Sequence, residues 1–375
     1  MADGNHPDSD LTSENSKLIA GLIPHLKRAA AIVAAVTIVL CMIAILLWKD
    51  RPLIDSIDWP RSAFASAADP DTVTVTWLGV STLLFDDGET QILIDGFFSR
   101  PTLADILLRR PVDNDVATIN YALNRYRIRR LAAIIPLHSH FDHAMDAGAI
   151  ANRSSASILG TESTAEIARG AGVPEDQITV VDSRTSFQFG EFAVTLLPIG
   201  HAPIGWRGSV PFDGVIAEPL STPQPISAWR MGGAFTVLIE HPQGTALVQG
   251  SAAYTKYELR DIAADVVFLG VGQLDALGKD YAELYWQHTV TATGSHSVYP
   301  IHFDDFTKPF GEVVLWPKIL DNFVTTSTWL DEFRRRWDSD ATLYLPEFGR
   351  PIAIFTETAA DPDSDLDPSR GPADL

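Results

Sequence analysis

The sequence predicts an α/β (α+β) fold, a four-layer αββα sandwich, preceded by one N-terminal transmembrane helix. Three observations support this prediction. Short apolar strand patterns alternate with helical patterns over most of the chain, which is typical of two sheets covered by helices. Histidines follow directly on several predicted strands. One apolar run near the N-terminus is long enough to cross a lipid bilayer.

Residues 29–48 form this apolar run, in which Thr37 is the only clearly polar residue. A helix rises about 1.5 Å per residue, so the run extends over about 30 Å, the thickness of the hydrocarbon core. A cleaved signal peptide is the alternative, but its apolar region is usually shorter, about 7 to 15 residues. We therefore predict an uncleaved, single-pass membrane anchor through residues 29–48.

The orientation of this anchor is not decided by the positive-inside rule, because the basic residues on its two sides balance. These residues are Lys17, Lys27 and Arg28 before it and Lys49, Arg51 and Arg61 after it. A short tail followed by one anchor is the usual form of a signal anchor, so we expect an external or periplasmic catalytic domain. Cys41, the only cysteine, lies inside the run, and a cysteine-free domain suits an oxidising compartment.

Composition divides the chain into five parts. Residues 1–28 are expected to be a polar, irregular tail, 49–71 a linker, 72–358 the folded domain and 359–375 a disordered acidic tail. The domain opens with strand patterns up to residue 94, and helices are predicted at 103–110, 114–126, 146–152, 163–170, 256–263, 281–291 and 321–337. Further strands are predicted at 131–137, 157–159, 178–181, 192–198, 234–240, 245–249, 265–269 and 298–301. Residues 202–233 show no periodicity and predict a functional lid or insertion.

The most informative stretch is residues 137–143, where an apolar strand ends and a helical pattern begins. His138, His140, Asp142 and His143 are crowded into this turn. Residues two apart in an extended turn point the same way, which brings the first two imidazoles together. Neutral imidazole and carboxylate are the ligands that zinc and its first-row neighbours take. The turn therefore predicts a metal site.

The pattern His-x-His-x-Asp-His after a buried strand resembles the signature of the metallo-β-lactamase fold superfamily. The resemblance covers roughly residues 72–355, and it implies further ligands at His201, in Leu-Pro-Ile-Gly-His, and at His302, in Tyr-Pro-Ile-His-Phe. It implies that His138, His140 and His201 hold a first metal, and that Asp142, His143 and His302 hold a second, with Asp142 also assigned to catalysis. Asp95, in Ile-Leu-Ile-Asp-Gly, is expected to support the site from behind. Zinc is the expected metal, as one or two ions, with manganese or iron as alternatives.

A narrower resemblance is carried by residues 75–82, Val-Thr-Trp-Leu-Gly-Val-Ser-Thr. They are similar to the opening strands of the branch that contains the N-acyl-phosphatidylethanolamine phospholipases D and the ascorbate-phosphate lactonases. That branch often has histidine or glutamine at the position of Val80. A second departure is Ser251, which stands where most hydrolases of this fold have an aspartate that bridges both metals. A hydroxyl brings no charge to offset two dications, which leaves a one-metal or degenerate site open.

Several further side chains are candidates for the pocket. His296 and His288 precede the last histidine motif, and Tyr254 follows the Ser251 turn, so each could reach the site. Trp206, Arg207 and Trp229, on the 202–233 insertion, could bind an acyl chain or an anionic head group. For each of these residues an ordinary structural role is at least as well supported. His241, in a hairpin turn, is expected to be solvated.

The net charge of −20 argues against nucleic acid as a partner, because binding to phosphate backbones depends on clustered Lys and Arg. The densest basic cluster, at residues 125–130, is interpreted as the solvated end of a helix. No oligomeric state is predicted.

The expected function is a membrane-anchored metal-dependent hydrolase of the resembled family. It would use a metal-bound hydroxide on an ester, lactone or phosphodiester, with a small molecule or a lipid as substrate, since zinc lowers the pKa of its bound water to about 7. Two alternatives remain open: a non-catalytic, membrane-tethered binding protein that keeps the fold and one metal, and a β-lactam hydrolase.

Overall fold

The computed structural model describes residues 8–62 and 72–355. Contacts divide the chain into two units, of which the first contains the N-terminal helix and the second contains both sheets. The predicted acidic tail at 359–375 and the second half of the predicted linker, residues 63–71, lie outside the described residues.

One helix, α1 (Asp8–Lys49), forms most of the first unit. Within its stretch Pro24–Lys49, the most apolar 18-residue window has a mean hydropathy of 3.0 and no buried residue, so by length and composition this helix can cross a membrane. The prediction of an irregular tail over residues 1–28 is wrong from Asp8 onward. The reason is that leucine, alanine and lysine, which favour helix, dominate residues 17–30 and continue into the apolar run.

The first half of the predicted linker packs against the folded domain. Ile57 is only 7% exposed and belongs to the core, and the rings of Trp59 and Phe323 meet edge to face at 5.9 Å. Residues 54–60 are therefore part of the second unit.

Two mixed sheets of seven strands each are present in the described residues. The strands are β1 (Thr74–Trp77), β2 (Leu83–Asp86), β3 (Gln91–Ile94), β4 (Leu131–Ile135), β5 (Ser157–Gly160), β6 (Ile178–Val180), β7 (Thr185–Phe189), β8 (Phe192–Ile199), β9 (Ala234–His241), β10 (Gly244–Gln249), β11 (Val266–Gly270), β12 (Ser297–Ile301), β13 (Thr342–Leu343) and β14 (Pro351–Ala353). Their orders are β14-β1-β2-β3-β4-β5-β6 and β13-β12-β11-β10-β9-β8-β7.

Helices cover the sheets on the outside. They are α2 (Leu103–Leu107), α3 (Val116–Arg125), α4 (Phe141–Ala144), α5 (Ala147–Ser154), α6 (Glu162–Gly170), α7 (Leu274–Leu277), α8 (Lys279–Trp286) and α9 (Phe323–Trp337), and a π-helical turn, Gln287–Thr291, extends α8. The main core lies between the two sheets, where Phe85 of one sheet meets Phe268 of the other edge to face. The predicted αββα sandwich is confirmed.

The predicted helix over residues 256–263 is wrong. The structure has consecutive turns there, and Tyr257 adopts the left-handed backbone conformation with φ of 70°, which interrupts a right-handed helix. The predicted strand at 131–137 ends at Ile135, since Pro136 cannot donate a hydrogen bond to the sheet. The edge strands β7 and β14 were not predicted.

The insertion at residues 202–233 is irregular, as predicted, and its apolar side chains pack against the folded domain. Phe212, Ile226 and Trp229 form an apolar cluster with Phe141, which lies inside the predicted metal motif, and with Phe97, which follows two residues after Asp95. Trp229 is fully buried and is therefore a core residue of this apolar cluster.

Candidate metal centre

The metal motif lies between β4 and α4, at the carboxyl end of a buried parallel strand. His138 forms a β-bridge with Ala234, and His140 is the N-cap residue of α4, so backbone structure fixes both ends of the turn. All four polar motif side chains are buried. The end of β8 delivers His201, and the end of β12 delivers His302.

The structure brings together His138, His140 and His201, whose ligand atoms all lie within 4.8 Å of one another. The Nε2 atom of His140 lies 2.9 Å from the Pro211 carbonyl oxygen, and the Nδ1 atom of His201 lies 2.8 Å from the Ala202 carbonyl oxygen. A carbonyl can only accept, so each of these nitrogens carries the proton. The opposite nitrogen of each ring keeps its lone pair for a ligand.

The His138 Nε2 and His140 Nδ1 atoms are 3.0 Å apart. Two nitrogens that share a tetrahedral zinc at about 2.0–2.1 Å each are about 3.4 Å apart, so the two rings are close enough to share a cation but would have to separate by about 0.4 Å to do so. Burial lowers the pKa of His138 well below its ordinary value and lowers the pKa of His140 and His201 to about 4. All three rings are therefore neutral at pH 7, the form that binds metal.

A second group contains Asp142, His143 and His302, whose ligand atoms also lie within 4.8 Å of one another. The Oδ2 atom of Asp142 is 3.4 Å from His302 Nε2 and 3.7 Å from His143 Nε2. Burial alone would raise the pKa of Asp142, but the neighbouring His143 and His302 outweigh it and lower that pKa. The group therefore offers one carboxylate and two imidazoles, a donor set that suits zinc, manganese or iron.

Asp95 lies beside the second group and contacts His143. It is fully buried and accepts hydrogen bonds from His143 Nδ1 and from the Leu137 backbone N–H, each at 2.7 Å. The bond to Nδ1 directs His143 Nε2 at the centre of the group. Asp95 and His302 both have left-handed backbone conformations, with φ of 59° and 63°, an arrangement that is concentrated at functional sites.

Ser251 lines the same cavity as the two groups, but its hydroxyl is engaged elsewhere. Its Oγ accepts a hydrogen bond of 2.8 Å from the Ala202 backbone N–H. The hydroxyl thus fixes the residue that follows His201.

Other candidates are not at the cavity. The His296 backbone N–H donates a hydrogen bond to the Asp265 carbonyl, and the residue lines a separate surface pocket. The ring of Tyr254 stacks on that of His288, with 5.2 Å between the ring centroids. The interpretation that these residues reach the pocket is wrong. They are close to a motif in sequence, but the fold places them away from the cavity. His241 is also not solvated, since its side chain is 3% exposed and lies beside Phe192. Trp206 is 83% exposed.

Two buried ionisable side chains near the motif were not predicted from the sequence. Asp146 accepts hydrogen bonds from the backbone N–H groups of Phe98 and Ser99 at 2.8 and 2.6 Å, which secures the loop after β3. Arg100 lies 3.8 Å from Asp304 and stacks its guanidinium on Phe97. The signal for Asp146 was available, because it is a charged residue in an otherwise apolar stretch, four residues after Asp142.

A cavity of about 240 Å³ opens over both groups. Apart from the six candidate ligands, its walls are mainly apolar, and Lys and Arg are absent from the described residues that line it. The apolar lining consists mainly of Ile106, Phe141, Ile204, Phe212, Ile226, Phe306 and Trp316. Ser251, Gln273 and Asp321 are its further polar side chains.

The chain is similar to several known proteins. The chain is 26% identical over 238 residues to a UPF0173 metal-dependent hydrolase from Pyrobaculum islandicum, covering 62% of this chain and 84% of that protein. Igni18, a metallo hydrolase from Ignicoccus hospitalis, is 18% identical, with 75% of this chain and 97% of that chain covered and a TM-score of 0.43. The diiron β-hydroxylase CmlA from Streptomyces venezuelae is 14% identical, with 76% and 55% covered and a TM-score of 0.47. Residues 75–229 match the family described as Metallo-beta-lactamase superfamily, and the chain therefore contains a domain of the metallo-β-lactamase superfamily.

Proposed function

We propose that this protein is a membrane-anchored metal-dependent hydrolase that cleaves an ester or lactone with an apolar substituent. The observation that carries the proposal is the pair of three-residue groups at the base of one apolar cavity. His138, His140 and His201 would hold a first metal, and Asp142, His143 and His302 a second. Zinc fits the donor set best, since imidazole dominates it.

A bound metal would supply water activated at neutral pH and would polarise the carbonyl group of the substrate. The remaining work belongs to the protein. Asp95 holds the His143 ring in its ligating orientation, and the carbonyl groups of Pro211 and Ala202 do the same for His140 and His201. Among the six residues of the two groups, Asp142 is the one that carries a negative charge, so it would offset part of the metal charge.

The lining of the cavity supports an uncharged substrate. A phosphodiester and the carboxylate of a β-lactam are both anionic, and proteins usually recognise such groups with Arg or Lys. The described lining contains neither residue. Esters and lactones are neutral and can place an acyl chain against side chains such as Ile204 and Phe306.

Membrane anchoring through residues 29–48 is part of the proposal and is supported by the exposed, strongly apolar stretch Pro24–Lys49. We expect the catalytic domain to be external or periplasmic. An anchored hydrolase with an apolar cavity is suited to lipid-derived or other membrane-proximal esters.

The test uses the full chain in detergent micelles. Metal content is measured per chain, and apolar esters, lactones, phosphodiesters and β-lactams are screened before and after treatment with a chelator. We expect hydrolysis of an ester or lactone that the chelator abolishes and that zinc, manganese or iron restores. Bound metal without hydrolysis of any class would instead favour the non-catalytic binding protein.

A further inference from the structure

Exposed apolar side chains from three segments of the chain lie beside the cavity. Each is within two residues of a side chain that lines the cavity, and consecutive Cα atoms are about 3.8 Å apart, so these side chains lie close to its opening. Their exposed fractions run from 42% to 83%. We call this set the rim; it consists of Leu107, Leu108, Trp206 and Leu320, beside the lining residues Ile106, Ile204 and Asp321.

Trp206 is the most exposed side chain of the rim, at 83%, and it lies in a hydrogen-bonded turn. The backbone N–H of Gly205 donates to the Ser209 carbonyl at 2.7 Å, and that of Gly208 donates to the Gly205 carbonyl at 3.1 Å. The guanidinium of Arg207 lies 5.8 Å from the centroid of the Trp206 ring. The turn thus holds the indole in an exposed position beside a cation, and tryptophan is enriched where proteins meet the membrane–water interface.

Basic side chains lie beside the rim but outside the cavity. Arg109 and Arg110 follow the two leucines, Arg207 follows Trp206, and all three arginines are exposed. Arg110 also lies 3.6 Å from Asp105. The chain as a whole has a net charge of −20, so this basic neighbourhood is a local departure from its composition. Apolar side chains flanked by arginine suit an anionic lipid surface, where each Arg strengthens binding by about fivefold.

A short tether keeps the folded domain near the proposed membrane span. Helix α1 ends at Lys49, and Ile57, eight residues later, is 7% exposed and belongs to the core. Eight residues extend over at most about 30 Å, so the core begins within that distance of the end of the anchor. Single exposed apolar side chains are ordinary, but a set of four beside one cavity indicates an interaction site. The bilayer is the apolar partner that the anchor keeps within reach.

We propose that the rim docks on an anionic lipid bilayer, so that the cavity opens towards the lipid and takes its substrate from the membrane. This inference rests on the proposed function, to which the anchor and the apolar cavity belong. The leucines and Trp206 lie about 5–10 Å deep, at the boundary between head groups and acyl chains, and the arginines pair with lipid phosphates. An uncharged, apolar ester then passes from the acyl chains into the apolar cavity without crossing bulk water.

The test measures contact with lipid at single cysteines of the full chain. Cys41→Ser removes the native cysteine, and Leu107→Cys or Trp206→Cys then places a fluorescent label on the rim. Tyr121→Cys and Trp337→Cys are matched controls, because both side chains are exposed and neither is within two residues of a lining residue.

The labelled chains are reconstituted into phosphatidylcholine vesicles with and without phosphatidylglycerol, and the quencher is a lipid with a spin label near its head group. We expect quenching at the two rim positions to be at least about threefold greater than at the control positions, because interfacial side chains lie among the head groups. Phosphatidylglycerol should increase quenching at the rim, and high salt should reverse that increase.

The native Cys41 separates failure of the anchor from failure of docking. Labelled in the wild type, it should be quenched by a spin label deep in the acyl region, since it lies within the proposed span. Quenching at Cys41 with equal, low quenching at rim and control positions would overturn docking and leave the anchor intact. No quenching at any position would refute both. Energy transfer between labelled chains that rises with the protein-to-lipid ratio, without quenching at the rim, would assign the rim to a second copy and also overturn the proposal.

Arg109→Gln with Arg110→Gln tests the electrostatic contribution to docking. This double variant should lose at least about half of the increase in rim quenching that phosphatidylglycerol produces, because two positive charges beside the rim are removed. Arg125→Gln with Arg129→Gln is the matched control, since these arginines are also exposed but lie in the basic cluster at residues 125–130. It should keep the increase. An equal loss in both double variants, or no loss in the first, would contradict the pairing of the rim arginines with lipid.

Discussion

Replacing Asp95 with asparagine should weaken the second metal position specifically. The Asp95 carboxylate accepts from two donors, His143 Nδ1 and the Leu137 backbone N–H, each at 2.7 Å. Asparagine has a single acceptor oxygen. If that oxygen stays with the backbone N–H, the amide NH₂ faces His143 Nδ1, which must then give up its proton. The proton moves to Nε2, the atom that is directed at the metal group.

The size of the effect follows from the usual cost of losing the partner that orients a metal-binding histidine. That loss lowers metal affinity about 10- to 100-fold, which is about 1.4 to 2.7 kcal/mol. We therefore expect the second-site zinc dissociation constant to rise by about one to two orders of magnitude.

The assay is competition between the metal-stripped full chain and a chromophoric chelator for zinc. Asp146→Asn is the matched control, because Asp146 is also fully buried and accepts from backbone N–H groups, but it touches no candidate ligand. It should lower stability and leave zinc affinity within about threefold of the wild type. Wild-type affinity in Asp95→Asn, or an equal loss in Asp146→Asn, would refute the reasoning.

Three further predictions concern charge, pH and the anchor. Ser251→Asp should tighten binding of the second zinc, because a carboxylate can still accept from the Ala202 N–H and also screens the repulsion between two dications. The measurement is calorimetric titration of zinc into both metal-stripped proteins. Two equally tight sites in the wild type, with no gain in the variant, would contradict this prediction. The metal-free chain should lose about 4 kcal/mol of stability between pH 7 and pH 5. His140 and His201 have a pKa of about 4 when folded and about 6.5 when unfolded, so only the unfolded chain takes up protons in this window, and an apparent melting temperature that is equal at both pH values would contradict this. The full chain should remain in membranes through a carbonate wash, whereas release would refute the span; a reporter fused after Leu375 and active only in the cytosol would overturn the orientation.

The metal motif could be predicted because its information is local. His138 follows the buried strand β4 by three residues and the motif is complete at His143, so a few consecutive residues specify both the backbone and the chemistry. His201 and His302 were found by the resemblance to a family, since nothing in their own short motifs states that β8 and β12 end at the same edge.

The contacts that could not be predicted depend on loops that meet only in the folded chain. The hydrogen bond from the Gln273 N–H to Asp321 joins segments 48 residues apart, and Asp146 closes onto the loop after β3. The errors have the same origin. Tyr254 and His296 follow or precede a motif in sequence, but turns direct one to an aromatic stack and the other to a different depression.

The most direct test of the account is zinc stoichiometry in the full chain. His138→Ala with His140→Ala removes two of the three side chains of the first group, and His296→Ala removes a histidine that lies away from the cavity. We predict that the double variant loses one zinc per chain relative to the wild type and that the His296 variant loses none. Full zinc stoichiometry in the double variant would contradict the assignment of the metal centre.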